Sequence, residues 1–180
     1  MGRGGAGVAY EAEAVTLFAA MLAAGSEPDA TRKGHINTLI AALKTAGIWS
    51  ELDLFYILAA HSAAAAVINW KTPGTFDCVA VNSPTFATDQ GYTGDGSTSR
   101  LRTQYTPSTH AVKFQQDNAS AWVWCRNDVS AGARDLGSGG TGSVQIVSRN
   151  GTNLQFAIND LTLSAAAGPG TSVGLSGTSR

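Results

Sequence analysis

The stretch AAAAVINWKTPGTFDCVAVN, residues 63–82, contains the change of pattern on which the fold depends. Before it, apolar residues recur every three or four positions, which is typical of helices. The dipeptide Pro73-Gly74 favours a turn, and from Phe76 onward the apolar residues follow a period of two, which is typical of strands. The stretch therefore divides the chain into a helical part and a β-rich part.

The composition changes at the same place. Of the 29 alanines, 18 lie at or before residue 66, whereas 14 of the 18 threonines and 14 of the 21 glycines lie after it. Alanine favours helices and threonine favours strands. We therefore predict an α+β fold with three segments: a flexible N-terminus over 1–8, a helical segment over 9–70 and an antiparallel β-sandwich over 71–180.

Apolar spacing, capping residues and glycine stops predict three helices in the first part. They run over about 9–24, from a cap at Asp29 or Thr31 to Gly47, and from Ser50 to about Asn69. The β-rich part contains short apolar runs separated by Gly, Asn, Asp and Ser, which favours a sandwich over alternating strands and helices. The predicted strands are 76–82, 85–88, 99–104, 111–115, 121–126, 143–149, 154–159 and, more weakly, 161–164 and 171–175.

The dipeptide Asn150-Gly151 predicts a hairpin between two of these strands. Keeping the apolar residues of both strands on one face requires a bulged loop with Gly151 in the left-handed conformation. This loop pairs Ile146 with Leu154.

Charge and hydropathy exclude several classes of function. Only 14% of the residues are charged and the net charge is −1, so the chain lacks the basic excess that nucleic-acid binding requires. Its apolar stretches are shorter than the roughly 20 residues that cross a bilayer, and no secretory signal is visible. Cys78 and Cys125 are expected to be buried free thiols.

The sequence contains no strong motif of catalytic residues. The three histidines lack the spacing of metal ligands, and no GxSxG nucleophile motif is present. All four glutamates lie at or before Glu51, so the carboxylate pair of a glycoside hydrolase would have to come from aspartates. We therefore predict no enzyme, no catalytic residue, no metal and no cofactor, with a glycan hydrolase as the weakest alternative.

Trp122 and Trp124 alternate within the predicted strand 121–126, so both rings lie on one face. If the opposite, aliphatic face is inward, the indoles form an exposed platform suited to stacking on sugars. If the indoles are inward, which is the commoner arrangement, they belong to the core. Asn127 and Asp128 follow at the strand end, where loops often carry recognition, so the candidate glycan-binding residues are these four.

The helical part contains three runs that resemble a known group of proteins: INTLIAALKTAGIW (36–49), LDLFYILAAH (52–61) and INWK (68–71). They resemble virion structural proteins of tailed phages and prophages that join an N-terminal helical segment to a concanavalin A-like, or laminin G-like, sandwich. A weaker likeness continues through SPTF (83–86), GY (91–92) and GDGSTS (94–99), so that the resemblance covers about 10–105.

The resemblance implies a helical anchor and a lectin-like domain of jelly-roll or concanavalin A-like type, in a tail fibre, head fibre or decoration protein. The expected location is the virion, assembled in the host cytoplasm. The expected partners are other virion proteins, a host-surface polysaccharide and further copies in a homo-oligomer, with a trimer as one option. A pure capsid or tail assembly protein without ligand is the alternative. Assembly contacts are predicted for Ile36, Leu39, Leu43, Trp49, Leu52, Phe55 and Tyr56.

Such proteins usually continue to a C-terminal helical tail, whereas this sequence ends at Arg180. An incomplete sandwich, a sandwich completed by a neighbouring chain and an unusually small sandwich therefore all stay open.

Overall fold

The computed structural model of the protein describes residues 9–130, 132–138, 144–160, 162–168 and 170–180. The predicted N-terminal segment 1–8 lies outside these ranges. Over the described residues, helices and several antiparallel sheets form a mixed α+β fold, as predicted. The helices are α1 (Ala12–Ala23), α2 (Ala30–Thr45), α3 (Ala63–Ala66) and α4 (Pro107–His110). The strands are β1 (Val79–Val81), β2 (Thr85–Ala87), β3 (Gly91–Thr93), β4 (Arg100–Arg102), β5 (Ser120–Cys125), β6 (Leu136–Gly137), β7 (Val144–Asn150), β8 (Asn153–Ile158), β9 (Ser164–Ala167) and β10 (Gly174–Ser179).

The chain forms two compact units. Unit 1 contains the described residues up to Ala80, together with Thr85–Thr93 and Leu101–Gln104. Unit 2 contains Val81–Pro84, Gly94–Arg100 and the described residues from Tyr105 to Arg180. Within the described ranges, no helix combines the length and the apolar character needed to cross a membrane.

Helices α1 and α2 lie where the sequence predicts them. The Asp29 side chain caps α2 by accepting a hydrogen bond from the Arg32 backbone N–H at 2.7 Å. The helix ends just before Gly47, which has a φ of +73°. Glycine adopts this left-handed conformation without strain, so it is a common residue after a helix end.

The predicted third helix over 50–69 is wrong. Trp49–Glu51 forms a 3-10 turn, the chain is irregular up to residue 62, and only Ala63–Ala66 is α-helical. Ser62 begins this short helix, because its side chain accepts a hydrogen bond from the Ala65 backbone N–H at 3.1 Å.

Asn69 explains why the longer helix does not form. Its side chain is fully buried, and its Oδ1 accepts a hydrogen bond from the Phe55 N–H at 3.1 Å. The Phe55 carbonyl in turn accepts from the Trp70 N–H at 2.8 Å. Asn69 Nδ2 donates to Thr72 Oγ1 at 2.8 Å and to the Thr75 carbonyl at 3.0 Å. Because a distant segment occupies both backbone groups of Phe55, they cannot join a helical ladder.

The core of unit 1 combines the buried faces of α1 and α2 with aromatic side chains from the segments around α3. Phe86 and Tyr92, from the antiparallel pair β2–β3, pack against it. Its buried residues are Ala14, Leu17, Phe18, Met21, Ile36, Ile40, Trp49, Ala60, Ala65, Ala66, Ile68 and Trp70.

Unit 2 contains a four-stranded antiparallel sheet in the order β6–β7–β8–β9 and a two-stranded sheet of β5 and β10. Buried aliphatic side chains of β7 and β8, such as Ile146 and Ile158, fill its interior. Strand β10 packs against β7 and β8, and Cys125 Sγ of β5 lies 3.3 Å from Ser148 Oγ of β7. The face of β5 that carries Cys125 is therefore its inner face.

In the β7–β8 hairpin the apolar side chains share one face, as predicted, but the two strands pair in a different register. Gly151 is left-handed, with a φ of +63°, and the pairing contains an irregularity close to the turn, as expected. Ile146, however, pairs with Phe156 and not with Leu154. A displacement of two residues leaves the same side chains on the buried face, because the side-chain period of a strand is two. The apolar pattern alone therefore could not distinguish the two registers.

The predicted strand over 111–115 is also wrong. Gln115 and Asn118 exchange backbone hydrogen bonds of 3.0 and 3.3 Å, so this segment closes on itself instead of joining a sheet. The two weakly predicted strands are displaced, since β9 begins at Ser164 and β10 begins at Gly174. Residues 143 and 161, the predicted first positions of two strands, lie outside the described ranges. The short strands β3 and β6 were not predicted.

Candidate functional site

The two indoles of β5 lie on the surface of unit 2. Trp122 is 55% exposed and Trp124 is 70% exposed, whereas the alternating residues Ala121, Val123 and Cys125 are partly buried. The expectation that the indoles would more commonly be inward is wrong for this strand. The contact of Cys125 with Ser148 of β7 fixes the aliphatic side as the inner side, so the same alternation turns both indoles outward.

Strand β10 supplies the residues beside the two indoles. Leu175 is directly opposite Trp124, and Gly177 is directly opposite Trp122. Opposite residues of an antiparallel pair share a face, and Leu175 is 61% exposed. We call the four residues Trp122, Trp124, Leu175 and Gly177 the indole face. It is an exposed apolar surface without a charged side chain.

Gly177 lets one indole lie against the backbone. A Cβ at this position would lie 1.9 Å from Trp122 Cε3 and 2.3 Å from Cδ2. A side chain at this position would therefore displace the ring, which covers the glycine across the strand pair. A tryptophan ring that lies over an opposite glycine covers the backbone of the strand pair. The same contact holds the ring in one place.

Asp128 belongs to a hydrogen-bond network that fixes the end of β5. Its Oδ1 accepts from the Ser172 backbone N–H at 2.9 Å, and both carboxylate oxygens accept from Arg149 Nη1 at 2.8 Å. Ser172 Oγ also donates to the Asn127 carbonyl at 3.0 Å. The Ser172 N–H and the Arg149 guanidinium hold the pKa of Asp128 below its ordinary value. Asp128 therefore positions the loop, while the Asn127 side chain is exposed.

The residues predicted for assembly mostly lie inside unit 1. Ile36 and Trp49 are buried, and Leu43, Leu52 and Phe55 pack against the same core. Tyr56 donates its hydroxyl proton to the Phe76 carbonyl at 2.6 Å, and only Leu39 of the seven is exposed. These side chains hold unit 1 together, and their role in assembly stays a prediction.

Both cysteines are free thiols, with Cys78 buried and Cys125 half-buried. Burial raises the pKa of Cys78 to about 11, and burial also raises the pKa of Cys125. Both thiols therefore stay protonated at neutral pH, which makes them poor nucleophiles. Among the described residues, no group of three or more His, Cys, Asp or Glu side chains is placed to hold a metal ion.

Sequence reasoning missed Leu175 and Gly177. Leu175 was at the end of a weakly predicted strand, and Gly177 has no side chain that a pattern could detect. The alternating Trp-Val-Trp run gave the only signal, and it identified half of the face.

No protein-family model, no curated protein and no solved structure matches the chain. The function is therefore inferred from the indole face and from the sequence resemblance.

Proposed function

We propose that this chain is a virion structural protein of a tailed phage or prophage, in a tail fibre, head fibre or decoration role. Its helical part anchors it to other virion proteins, and the indole face contacts a polysaccharide on the host surface. It acts by binding, without catalysis. The single observation that carries the binding role is the exposure of Trp122 and Trp124.

The chemistry of the indole face suits a carbohydrate. The two tryptophans are two residues apart on one strand, so their Cα atoms are separated by about 6.5–7 Å. Aromatic faces stack on the apolar C–H surfaces of sugar rings, and the indole N–H can donate a hydrogen bond to a sugar hydroxyl. Two rings in one row suit an extended chain of sugars better than a single small molecule.

The arrangement of unit 2 supports a lectin-like sandwich. Its two antiparallel sheets pack through Cys125 and Ser148, with aliphatic residues of β7 and β8 between them. We assign this arrangement to the jelly-roll or concanavalin A-like type on the basis of the sequence resemblance.

A pure assembly protein is the second candidate. Leu175 beside Trp124 extends the apolar surface, and exposed apolar surfaces also serve as protein interfaces. In that case the indole face would be covered by another copy of the chain in a homo-oligomer.

A glycan array probed with the full chain tests the binding role. We expect binding to at least one bacterial surface polysaccharide, and we expect Trp122→Ala and Trp124→Ala each to weaken it by about fivefold or more, if a sugar gains from one aromatic ring the roughly 1–3 kcal/mol that a nucleobase gains by stacking. Val112→Ala is the matched control, because Val112 is also 70% exposed but lies outside the indole face.

Light scattering on the same variants separates the two candidates. If Trp124→Ala dissociates an oligomer and the wild type binds no glycan, the assembly role replaces the lectin role. If the wild type binds glycan and Trp124→Ala keeps its mass but loses the glycan, the lectin role stands.

A further inference from the structure

Strand β5 has one edge that no other strand covers. Among the described residues it pairs with β10 alone. At its start, Ala119 and Arg180 exchange backbone hydrogen bonds of 3.0 and 2.8 Å. In an antiparallel pair, residues that exchange such bonds alternate with residues whose N–H and carbonyl groups point away from the partner strand. Counting from Ala119, the groups that point away from β10 are those of Ser120, Trp122 and Trp124, and we call them the β5 edge.

The groups of the β5 edge have no backbone partner within the part of the chain that the structure describes. Proteins usually protect such an edge with a charged residue, a proline or a bulge. The sequence of β5, SAWVWC, has no charge and no proline, and its six residues pair with β10 in an unbroken register. The Trp122 ring lies over Gly177, on the side of β10, so it does not cover the edge.

The β5 edge is complementary to itself. In an antiparallel arrangement about a two-fold axis, Trp122 lies opposite Trp122 of a second copy, and Ser120 lies opposite Trp124 of that copy. The three N–H groups of each strand then reach the three carbonyl groups of the other, so six hydrogen bonds use every group of both edges. Because β5 is uncharged, no like charges come to lie opposite each other. Two-fold contacts of this kind are the commonest form of self-association.

We infer that β5 pairs with β5 of a second copy of this chain, about a two-fold axis between the two Trp122 residues. The product is a four-stranded antiparallel sheet in the order β10–β5–β5–β10. Side chains of opposite residues share a face, so both indole faces lie on one side of this sheet and stay uncovered. The pairing uses backbone groups and does not depend on glycan binding by the indole face.

Analytical ultracentrifugation of the full chain tests the inference with two matched proline variants. Ser120 and Ser179 lie opposite each other, and their N–H groups point to opposite edges of the strand pair. Proline removes an N–H and is tolerated where that N–H points out from an edge. We expect the wild-type mass to rise from one chain towards two with concentration. Ser120→Pro should weaken this dimerisation by about tenfold or more, because partner carbonyls lose their donors, whereas Ser179→Pro should dimerise like the wild type.

Disulfide cross-linking tests the register without proline. Opposite residues of such a hydrogen-bonded pair have Cα atoms about 5.5 Å apart, which a disulfide can span. Trp122→Cys should therefore form a covalent dimer on mild oxidation. Leu175→Cys is the matched control, since Leu175 is exposed on the same face but belongs to β10, and it should stay a single chain.

The inference is overturned if the wild type has the mass of one chain at every concentration, or if Ser179→Pro weakens the dimer as much as Ser120→Pro. It is also overturned if Leu175→Cys cross-links as readily as Trp122→Cys, because the indole faces would then cover each other. Circular dichroism checks that the proline variants fold, and the cross-linking result decides if Ser120→Pro does not. Glycan binding by a single chain would overturn the pairing and leave the proposed function standing, whereas a β5 dimer that binds no glycan would do the reverse.

Discussion

The two units place their tryptophans in opposite environments. In unit 1, Trp49 and Trp70 are 6% and 4% exposed, and the Phe55 ring contacts both edge-on, with centroid distances of 6.4 and 5.7 Å. In unit 2, Trp122 and Trp124 are mostly exposed. The interior of this unit is built from smaller aliphatic side chains. Unit 2 therefore leaves its two largest apolar side chains out of its core.

This difference separates residues that stabilise the fold from residues that are available to a ligand. Burying an aromatic ring is among the largest favourable contributions that a side chain makes to folding. A unit that leaves two such rings on one exposed face gives up that contribution, and a contiguous exposed apolar face marks an interaction surface. Trp49 and Trp70 are buried in the core of unit 1, so their contribution to folding is enough to explain them.

The largest expected effect is on Trp70. Trp70→Ala should lower the free energy of unfolding of unit 1 by about 3–5 kcal/mol, because it leaves a cavity beside Phe55. Trp124→Ala should change the stability of the protein by less than about 0.5 kcal/mol. Urea denaturation followed by circular dichroism of the helices measures the effect of Trp70→Ala on unit 1. Thermal unfolding of unit 2, followed by a signal other than tryptophan fluorescence, measures the effect of Trp124→Ala. Equal losses would remove the distinction between the two pairs.

A smaller loss is expected at Asn69. Asn69→Ala should destabilise unit 1 by about 2–4 kcal/mol, because the Phe55 N–H, the Lys71 N–H and the Thr75 carbonyl would all lose their partner on the fully buried Asn69 side chain. Asn37→Ala is the matched control in the same unit. Among the described residues the Asn37 side chain has one hydrogen bond, which it accepts from the Glu11 N–H at 2.7 Å, so the substitution should cost only about 1 kcal/mol. A loss at Asn69 no larger than that at Asn37 would show that the network is not what holds this segment.

An effect of about 1 kcal/mol is expected at Gly177. Gly177→Ala should push the Trp122 ring off the strand pair, with a small loss of stability and a change in Trp122 fluorescence. In a Trp122→Ala background the same substitution should cost nothing, because no ring is left to displace. A double-mutant cycle measures the coupling, and a coupling of zero would mean that Trp122 does not lie over Gly177 in solution.

The smallest effect concerns pH. Because the pKa of Asp128 is lowered in the folded state, its network stabilises the protein above the ordinary pKa of an aspartate and is lost as the pH falls through the folded value. Asp128→Asn should therefore destabilise unit 2 at neutral pH and leave it unchanged in strong acid. An NMR titration of the Ser172 amide measures the midpoint, which should lie below 3.8, the ordinary value for the group. A midpoint at or above that value would contradict the network.

The sequence could predict elements whose hydrogen bonds are local. Helix α2 begins at the Asp29 cap and ends before Gly47, as expected, because capping and left-handed glycine depend only on neighbouring residues. The segment 50–69 has apolar spacing for a helix, yet the side chain of Asn69 takes the Phe55 N–H. Such a contact between residues 14 positions apart leaves no periodic signal.

For the candidate site, too, the sequence could predict only what depends on neighbouring residues. The alternation Trp-Val-Trp by itself determined that both indoles of β5 share one face, because side chains alternate across a strand. Only the tertiary structure decided which face is outside, since this depends on the sheet that packs against β5 through Cys125 and Ser148. It also decided that Gly177 lies beneath Trp122, because strand pairing between residues far apart in the chain is set by packing and not by local pattern.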